Sequence, residues 1–367
     1  MEQTTIVAFC LFLFYITTCP QVHSAISSDH RHRLGQGQHH HDRSVKLFVF
    51  GDSYADTGNS GKVATGSWKA PYGITFPGKP AGRFSDGRVL TDYIASFLGI
   101  RSPVPYKWRK SVKKSKLVNG INFAYGGTGV FQTLISAPNM TTQIDFFQQL
   151  LEEKLYTKSD LDSSIALISL AGNDYAAYFL KTGNQSPGKD LAAVTTSIVN
   201  QLVVNIKRIN DLGVRKIGVT AIEPMGCLPG VTSIFTSYQN CSESLNSASR
   251  FHNQILHQKV EELKNVTTTK STFVILDLYN AFLSAIQQQK LHQAGNSTTL
   301  ENPLKPCCVG VSSEYSCGSV DERSGAAKYT VCSNPERSMF WDKVHPSQNG
   351  WRAVYSAIKS SLHQLVI

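Results

Sequence analysis

The sequence lacks the signatures of several common enzyme classes. It contains no G-x-S-x-G, the elbow that carries the nucleophile of α/β-hydrolases, and no H-E-x-x-H, the zinc-binding pair of metalloproteases. Residues 73–80 (GITFPGKP) fall short of a phosphate-binding loop, because Pro80 stands where a metal-binding Ser or Thr is needed. These absences exclude three frequent motifs, and we expect neither a metal nor an organic cofactor.

Long apolar runs are also scarce. After residue 19 no segment is long and apolar enough to cross a bilayer, so no transmembrane segment is expected there. Residues 5–19 form an apolar block that is short for a membrane span, and small residues follow at 22–25. We interpret residues 1–24 as a secretory signal peptide, with an uncleaved anchor as the alternative.

The cysteines contain no C-x-x-C pair of the kind that binds zinc. Beyond the signal peptide they are even in number, which in an oxidising compartment indicates disulfides. We expect Cys227 to pair with Cys241, and the other pairings stay open. The six candidates are Cys227, Cys241, Cys307, Cys308, Cys317 and Cys332.

N-x-S/T sequons are consistent with a secreted glycoprotein. They lie at Asn139, Asn184, Asn240, Asn265 and Asn296.

Acidic residues are few: 26 Asp and Glu stand against 36 Lys and Arg, for a net charge of +10. Part of the excess is a His- and Arg-rich stretch within residues 25–45, which we predict to be disordered. Another part is residues 101–116, interpreted as a solvated loop, with weak binding to an acidic polysaccharide or membrane surface as the alternative. Nucleic acid is not expected as a partner, because no matching motif accompanies the charge.

Residues 46–367 have the pattern of one α/β domain. Short apolar runs alternate with helical periodicity, which predicts a parallel sheet covered by helices on both faces. A long helix is predicted at 190–212, where Gly213 marks its end. Residues 60–88 and 285–340 are predicted to be rich in loops. The predicted strands are 47–50, 120–124, 165–170, 216–222 and 272–278, and the further helices are 89–98, 142–155, 244–264 and one that follows Ser347.

A serine, a histidine and an aspartate occupy positions suited to nucleophilic catalysis. Ser53 follows the predicted strand 47–50, at the edge where α/β proteins place their chemistry. Asp342 and His345 are three residues apart, so one turn can bring the carboxylate to the imidazole. The structural alternatives are a helix cap for Ser53, a surface position for His345 and a turn for Asp342.

Four segments resemble, in order, the four blocks of the GDSL family of SGNH hydrolases. They are 51–54 (GDSY), 122–127 (NFAYGG), 172–174 (GND) and 342–345 (DKVH). Other segments look like the secreted plant branch of that family, and the similarity runs from about residue 46 to the end of the chain. These segments are 71–73 (PYG), 82–88 (GRFSDGR), 226–229 (GCLP), 307–308 (CC) and 340–342 (FWD).

The resemblance implies a three-layer α/β/α, flavodoxin-like fold with a central parallel sheet, and a serine esterase or lipase that cleaves carboxylic esters through an acyl-serine. Ser53 would be the nucleophile, His345 the general base and Asp342 the group that orients the base. The oxyanion hole would be formed by the backbone N–H groups of Ser53 and Gly127 and by the side chain of Asn173.

The resemblance leaves the substrate open among small-molecule, lipid and acylated-polysaccharide esters, and the final compartment open among extracellular space, cell wall and vacuole. A monomer is expected. The alternatives are an acyltransferase that passes the acyl group to an alcohol, and a non-catalytic protein that binds glycans or the cell wall. His252 and His257, on the predicted helix 244–264, are interpreted as helix-surface residues.

Overall fold

A computed structural model of the protein describes residues 45–62, 65–183, 190–295 and 302–367. The predicted signal peptide, and all of the predicted disordered segment 25–45 except its last residue, lie outside the described residues. Within them, no helix combines the length and the apolar character that a membrane span requires.

A six-stranded parallel sheet forms the centre of the domain. Its strands are β1 (Leu47–Gly51), β2 (Val104–Pro105), β3 (Ile121–Asn122), β4 (Ile165–Ser169), β5 (Lys216–Thr220) and β6 (Thr272–Leu276). They lie in the order β2-β3-β1-β4-β5-β6, and every neighbouring pair is parallel. Without the two-residue edge strand β2, this is the flavodoxin-like order, in which the chain reverses direction across the sheet at β1.

Helices cover both faces of the sheet. In the described part of the chain they are α1 (Leu90–Phe97), α2 (Met140–Glu152), α3 (Lys158–Asp162), α4 (Gly172–Thr182), α5 (Leu191–Asp211), α6 (Pro229–Phe235), α7 (Glu243–Val266), α8 (Leu278–Gly295) and α9 (Gln348–His363). One apolar cluster joins the sheet to α2, α5 and α7, and another joins its opposite face to α1, α8 and α9. The predicted three-layer α/β/α fold is therefore the observed one.

The central strand β1 shows why the sheet needs both layers. Phe48 and Phe50 enter the cluster of α2, α5 and α7, while Leu47 and Val49 enter the cluster on the other face. All four side chains are fully buried, and each such burial contributes about 1.5–3 kcal/mol. Gly51 is the last residue of β1, and no larger side chain fits there, because a Cβ would lie 2.3 Å from the carbonyl oxygen of Ser169 on β4. The chain can therefore turn into the site directly above the sheet.

All five predicted strands are present, although the run at 120–124 forms only the two-residue β3. The predicted helix 190–212 is α5, within one residue at each end. The prediction of a loop-rich region over 285–340 is wrong at its start, because α8 continues to Gly295. Phe282, Ala285 and Ile286 face the core from this helix, and its residues 287–289 (QQQ) are good helix formers.

Within the described residues, three disulfides fasten two separate loop regions. The predicted bond between Cys227 and Cys241 is present. The pairings that the sequence left open are Cys307–Cys332 and Cys308–Cys317. The latter two bonds secure the antiparallel pair β7 (Cys308–Gly310) and β8 (Tyr329–Val331). We call β7, β8 and the two disulfides that secure them the stapled unit. The backbone N–H groups of Cys307 and Cys308 in this unit donate to the carbonyls of Phe340 and Trp341, so the stapled unit supports the segment that leads to His345.

Candidate active site

Ser53, His345 and Asp342 meet at the carboxyl edge of the sheet. Ser53 lies two residues beyond β1, where the strand order reverses between β3 and β4. Its Oγ is 2.8 Å from Nε2 of His345, and Nδ1 of the same ring is 2.8 Å from Oδ2 of Asp342. The three residues are between 7% and 8% exposed. If Nδ1 donates its proton to Asp342, Nε2 is free to accept the hydroxyl proton of Ser53.

Asp342 is held as a carboxylate by its surroundings. Its Oδ1 accepts hydrogen bonds from the backbone N–H groups of Val344 and His345, both at 2.8 Å. Its Oδ2 accepts a bond of 2.7 Å from the hydroxyl of Tyr72. Burial opposes ionisation, but the imidazole of His345 and these hydrogen bonds outweigh it and hold the pKa of Asp342 below its ordinary value. Asp342 can thus keep the imidazole in one orientation and one tautomer.

The backbone N–H groups of Ser53 and Gly127 have no hydrogen-bond acceptor among the described residues. The N–H of Gly126, by contrast, donates to Oδ2 of Asp56 and to Oγ of Ser60. Gly127 adopts a φ of 81°, and a Cβ there would lie 2.5 Å from the side chain of Ile135. The N–H of Gly127, and not that of Gly126, therefore has no acceptor within the described residues.

Asn173 lies in the first turn of α4. Its side-chain amide donates to the carbonyl of Thr128 at 3.0 Å and to Oδ2 of Asp52 at 3.3 Å. The next residue, Asp174, accepts hydrogen bonds from the backbone N–H groups of Val130 and Phe131. Because of these contacts, the amide of Asn173 is fixed between the loop that carries Ser53 and the loop that carries Gly127.

Two asparagines lock the loop after Ser53 to the loop before Gly127. The amide of Asn59 donates to the carbonyls of Asn122 and Ala124, at 2.8 and 2.9 Å. The amide of Asn122 donates back to the carbonyl of Ala55 at 2.7 Å. All these groups are buried, where hydrogen bonds left unmade would be costly. The loop that carries Ser53 and the loop that carries Gly127 are therefore held in one geometry relative to each other.

Glu223, a carboxylate three residues beyond the end of β5, was not among the predicted site residues. Its side chain is buried beside the hydroxyl of Tyr54, and an ideal Cβ on Gly172 at the start of α4 would lie 3.3 Å from its Oε1. In the described part of the chain no Lys or Arg forms an ion pair with it. Burial raises its pKa from an ordinary 4.5 to about 7. The available signal was its place just after a predicted strand, at the same sheet edge as Ser53.

We expect Glu223→Gln to stabilise the fold at alkaline pH. Because burial raises the pKa of Glu223 in the folded state, the folded protein binds a proton on Glu223 more tightly than the unfolded chain does. This proton binding stabilises the fold at low pH, and the stabilisation is lost as the pH rises from 4.5 through about 7. Glutamine carries no charge to bury, so the free energy of unfolding should rise by about 2–3 kcal/mol near pH 8.5 and change little near pH 4.5. Urea unfolding at the two pH values measures this. The control Glu314→Gln, at an exposed position, should leave both values unchanged, and equal alkaline stability of wild type and Glu223→Gln would contradict the prediction.

His252 is a second correction. It was expected on a helix surface, but it is buried, with Nδ1 2.9 Å from the hydroxyl of Tyr175 on α4. The reason is that α7 is packed between the sheet and its neighbouring helices, so this stripe of α7 faces inward. Burial lowers the pKa of His252 to about 4. His257, one further turn along α7, is exposed as predicted.

Three of the five predicted glycosylation positions lie within the described residues. Asn139 caps α2, its side-chain oxygen accepting from the N–H of Thr142. Asn240 and Asn265 are exposed. Asn184 and Asn296 lie outside the described residues. Across the residues the structure describes, no three His, Cys, Asp or Glu side chains are grouped as a metal site would require.

The family model described as GDSL-like Lipase/Acylhydrolase matches residues 47–358. The protein named GDSL esterase/lipase At5g03610 from Arabidopsis thaliana is 50% identical over 99% of this chain and 98% of its own length. GDSL esterase/lipase At3g09930, also from Arabidopsis thaliana, is 51% identical over 89% of this chain and 90% of its own. A solved structure of Axe2, an acetylxylan esterase from Geobacillus stearothermophilus, aligns with 88% of this chain and 94% of its own at 15% identity and a TM-score of 0.36, a likeness too weak to bear on the substrate.

Proposed function

The chain belongs to the GDSL-like lipase/acylhydrolase family and is a serine hydrolase of carboxylic esters, and on that premise we propose that Ser53, His345 and Asp342 are its catalytic triad. The observation that carries the proposal is the 2.8 Å contact between Ser53 Oγ and His345 Nε2, made by residues far apart in the sequence. The 2.8 Å contact of Asp342 with the other ring nitrogen completes the set of nucleophile, base and orienting group.

The reaction follows from this arrangement. Ser53 Oγ attacks the ester carbonyl carbon while His345 Nε2 takes the hydroxyl proton. His345 then gives that proton to the departing alkoxide, which leaves as the alcohol, and the acyl group stays on Ser53. A water molecule attacks the acyl carbonyl with His345 again as the base, and the carboxylic acid is released with Ser53 restored. Asp342 stabilises the imidazolium that forms in both halves.

We propose that the negative oxygen of each tetrahedral intermediate is bound by the N–H groups of Ser53 and Gly127 and by the amide of Asn173. The two backbone N–H groups without acceptors support this assignment. The amide of Asn173, whose two N–H groups donate to Thr128 and to Asp52, would exchange its longer bond, 3.3 Å to Asp52, for the oxyanion. Hydrogen-bond donors that are already in position need no reorganisation as the transition state forms, and one such donor typically lowers the barrier by about 3–4 kcal/mol.

A fluorophosphonate probe tests the triad. It forms a covalent bond with an activated serine, so we expect labelling of the folded protein at one site, Ser53, located by mass analysis of peptides. Hydrolysis of p-nitrophenyl acetate should fall in proportion to the labelled fraction. Labelling at another serine, or full activity after complete labelling of Ser53, would refute the assignment.

We further propose that the protein is a secreted, glycosylated monomer, acting outside the cell, in the wall or in the vacuole. The pattern of residues 1–24, the three disulfides and the exposed sequons at Asn240 and Asn265 support secretion. The cationic residues 101–116 support weak binding to acidic surfaces.

A further inference from the structure

One flank of the active site is formed by a long stretch without acidic residues. No Asp or Glu occurs between Asp92 and Asp145. Residues 106–119 of this stretch form two short 3₁₀ helices between β2 and β3, at the open edge of the sheet. We call residues 101–116 the basic segment. Its cationic residues are Arg101, Lys107, Arg109, Lys110, Lys113, Lys114 and Lys116.

These cations have no carboxylate partners within the described residues, and all but Arg109 are exposed. By contrast, Lys207 on α5 and Lys259 and Lys264 on α7 each form an ion pair with an acidic residue of their own helix. The basic segment therefore concentrates, within residues 101–116, seven cationic residues that lack carboxylate partners in the described part of the chain. Such a concentration of one sign attracts an anionic partner.

The basic segment is attached directly to the loop that follows Ser53. The backbone N–H of Lys107 donates to Oδ1 of Asn59 at 2.9 Å. The indole N–H of Trp108 donates to the carbonyl of Gly58, also at 2.9 Å. Because Asn59 is also bound to the strand that leads to Gly127, the basic segment borders the proposed catalytic site. A polymer bound along the basic segment would therefore lie beside the loop that follows Ser53.

Two tryptophans, Trp108 of the basic segment and Trp68 of the neighbouring loop, form a platform beside the loop that follows Ser53. The rings of Trp68 and Trp108 are 6.4 Å apart and roughly perpendicular, and both are partly exposed. The indole N–H of Trp68 donates to the carbonyl of Ser60, so this ring too is fixed to the nucleophile loop. The ammonium of Lys62 lies over both rings, 5.2 and 5.6 Å from their centres. Rings with cations beside them suit a ligand that has both apolar C–H faces and negative charges.

We propose that the basic segment and the platform of Trp68, Trp108 and Lys62 bind a carboxylated polysaccharide, a chain of uronic acid units, and that esters carried by such a chain are substrates of the enzyme. The second half of this inference rests on the proposed function of Ser53. Uronate carboxylates pair with the exposed cations, and the sugar rings stack on the indoles. The polymer thereby raises the concentration of ester groups at the nucleophile.

An anionic membrane would need the same cations but a different neighbourhood. Peripheral membrane binding requires apolar side chains that enter the headgroup region. Among residues 101–119, Val118 is the aliphatic residue with an exposed side chain, and 48% of its surface is exposed. The indoles are anchored by their N–H groups and flanked by Lys62, which hinders insertion into lipid. The surface therefore matches a soluble polyanion better than a bilayer.

Binding of the full glycosylated protein to polygalacturonate, to a neutral galactan and to phosphatidylglycerol vesicles tests the proposal. We expect binding to polygalacturonate at about 0.05 M salt and its loss at about 0.5 M, because exposed charges are screened. The triple variant Lys110→Gln, Lys113→Gln and Lys114→Gln should bind polygalacturonate about tenfold more weakly or worse. It should also lose about tenfold in kcat/KM on O-acetylated polygalacturonate relative to p-nitrophenyl acetate.

The matched control removes the same charge from paired lysines on α5 and α7: Lys207→Gln, Lys259→Gln and Lys264→Gln. It should bind the polymer within about twofold of wild type, which separates local from net charge. Equal weakening by both variants, binding to the neutral galactan as tight as to polygalacturonate, or preference for the vesicles would overturn the proposal. Polymer binding is measured without turnover, so its absence leaves the proposed triad standing, and a failed triad leaves the binding result standing.

Discussion

Replacement of Ser53 by alanine is expected to lower kcat for p-nitrophenyl acetate by about 10⁴-fold or more. The Ser53 hydroxyl is the partner of His345 Nε2, and no other hydroxyl among the described residues is hydrogen-bonded to that nitrogen. Without it no acyl-enzyme forms, and what remains is the slower attack of water assisted by His345 and the oxyanion donors. Burst and steady-state kinetics of the purified variant measure the loss.

The fold should tolerate this change. Removing Oγ creates almost no cavity, and His345 remains held by its 2.8 Å contact with Asp342. The melting temperature of Ser53→Ala should therefore stay close to that of wild type. Ser356→Ala, at an exposed position on α9, serves as the control and should keep full activity. A folded Ser53→Ala enzyme with more than a tenth of wild-type kcat would show that another group is the nucleophile.

The parts of the molecule that were predictable from sequence are those whose signal is local. β1 was visible because an uninterrupted apolar run ended by glycine is typical of a strand buried on both faces. The position of β1 predicted that of Ser53 at the sheet edge. The pairing of Asp342 with His345 was predictable because the two residues lie within one turn. The resemblance to a known family then linked these two ends of the chain, a step that periodicity alone does not provide.

The parts that were missed depend on neighbours distant in sequence. Tyr72 gives no local sign that its hydroxyl will meet Asp342, which is 270 residues away. In the sequence, Glu223 is only a polar residue after a strand; in the structure, Tyr54 and the start of α4 pack around its side chain. His252 lies on an amphipathic helix, and its burial depends on α4 and α5 packing against that stripe of α7. In each case tertiary packing, and not local pattern, decides the environment of the group.

Tyr72 also shows how the stapled unit acts on the site. Its ring packs with Trp341 and the disulfide-bonded Cys307 and Cys308 in a small apolar cluster of its own. The cluster is continuous with the segment that presents Asp342. Disulfides that look remote from the chemistry in sequence therefore support the hydroxyl that contacts the orienting carboxylate.

Asp342→Asn is expected to lower kcat by about 10⁴-fold while leaving the fold intact. The side-chain oxygen of the introduced asparagine can continue to accept from the N–H groups of Val344 and His345, which places the new amide nitrogen at the position of Oδ2. His345 Nδ1 lies 2.8 Å from Oδ2 and 2.9 Å from Oδ1, so an amide nitrogen at Oδ2 donates toward Nδ1 and favours the tautomer that carries its proton on Nε2. Nε2 would then point a proton at Ser53 and could not act as the base.

Tyr72→Phe is the matched control, because it removes a hydrogen bond to the same Oδ2 but keeps the carboxylate. Loss of one hydrogen bond to a charged group is worth about 1.5–3 kcal/mol, so kcat should fall by roughly 10–100-fold, far less than in Asp342→Asn. The rate of fluorophosphonate labelling should follow the same ranking, since it depends on the same base. If the two variants lost equal activity, Asp342 would be acting through its hydrogen bonds alone and not through the tautomer and charge of His345.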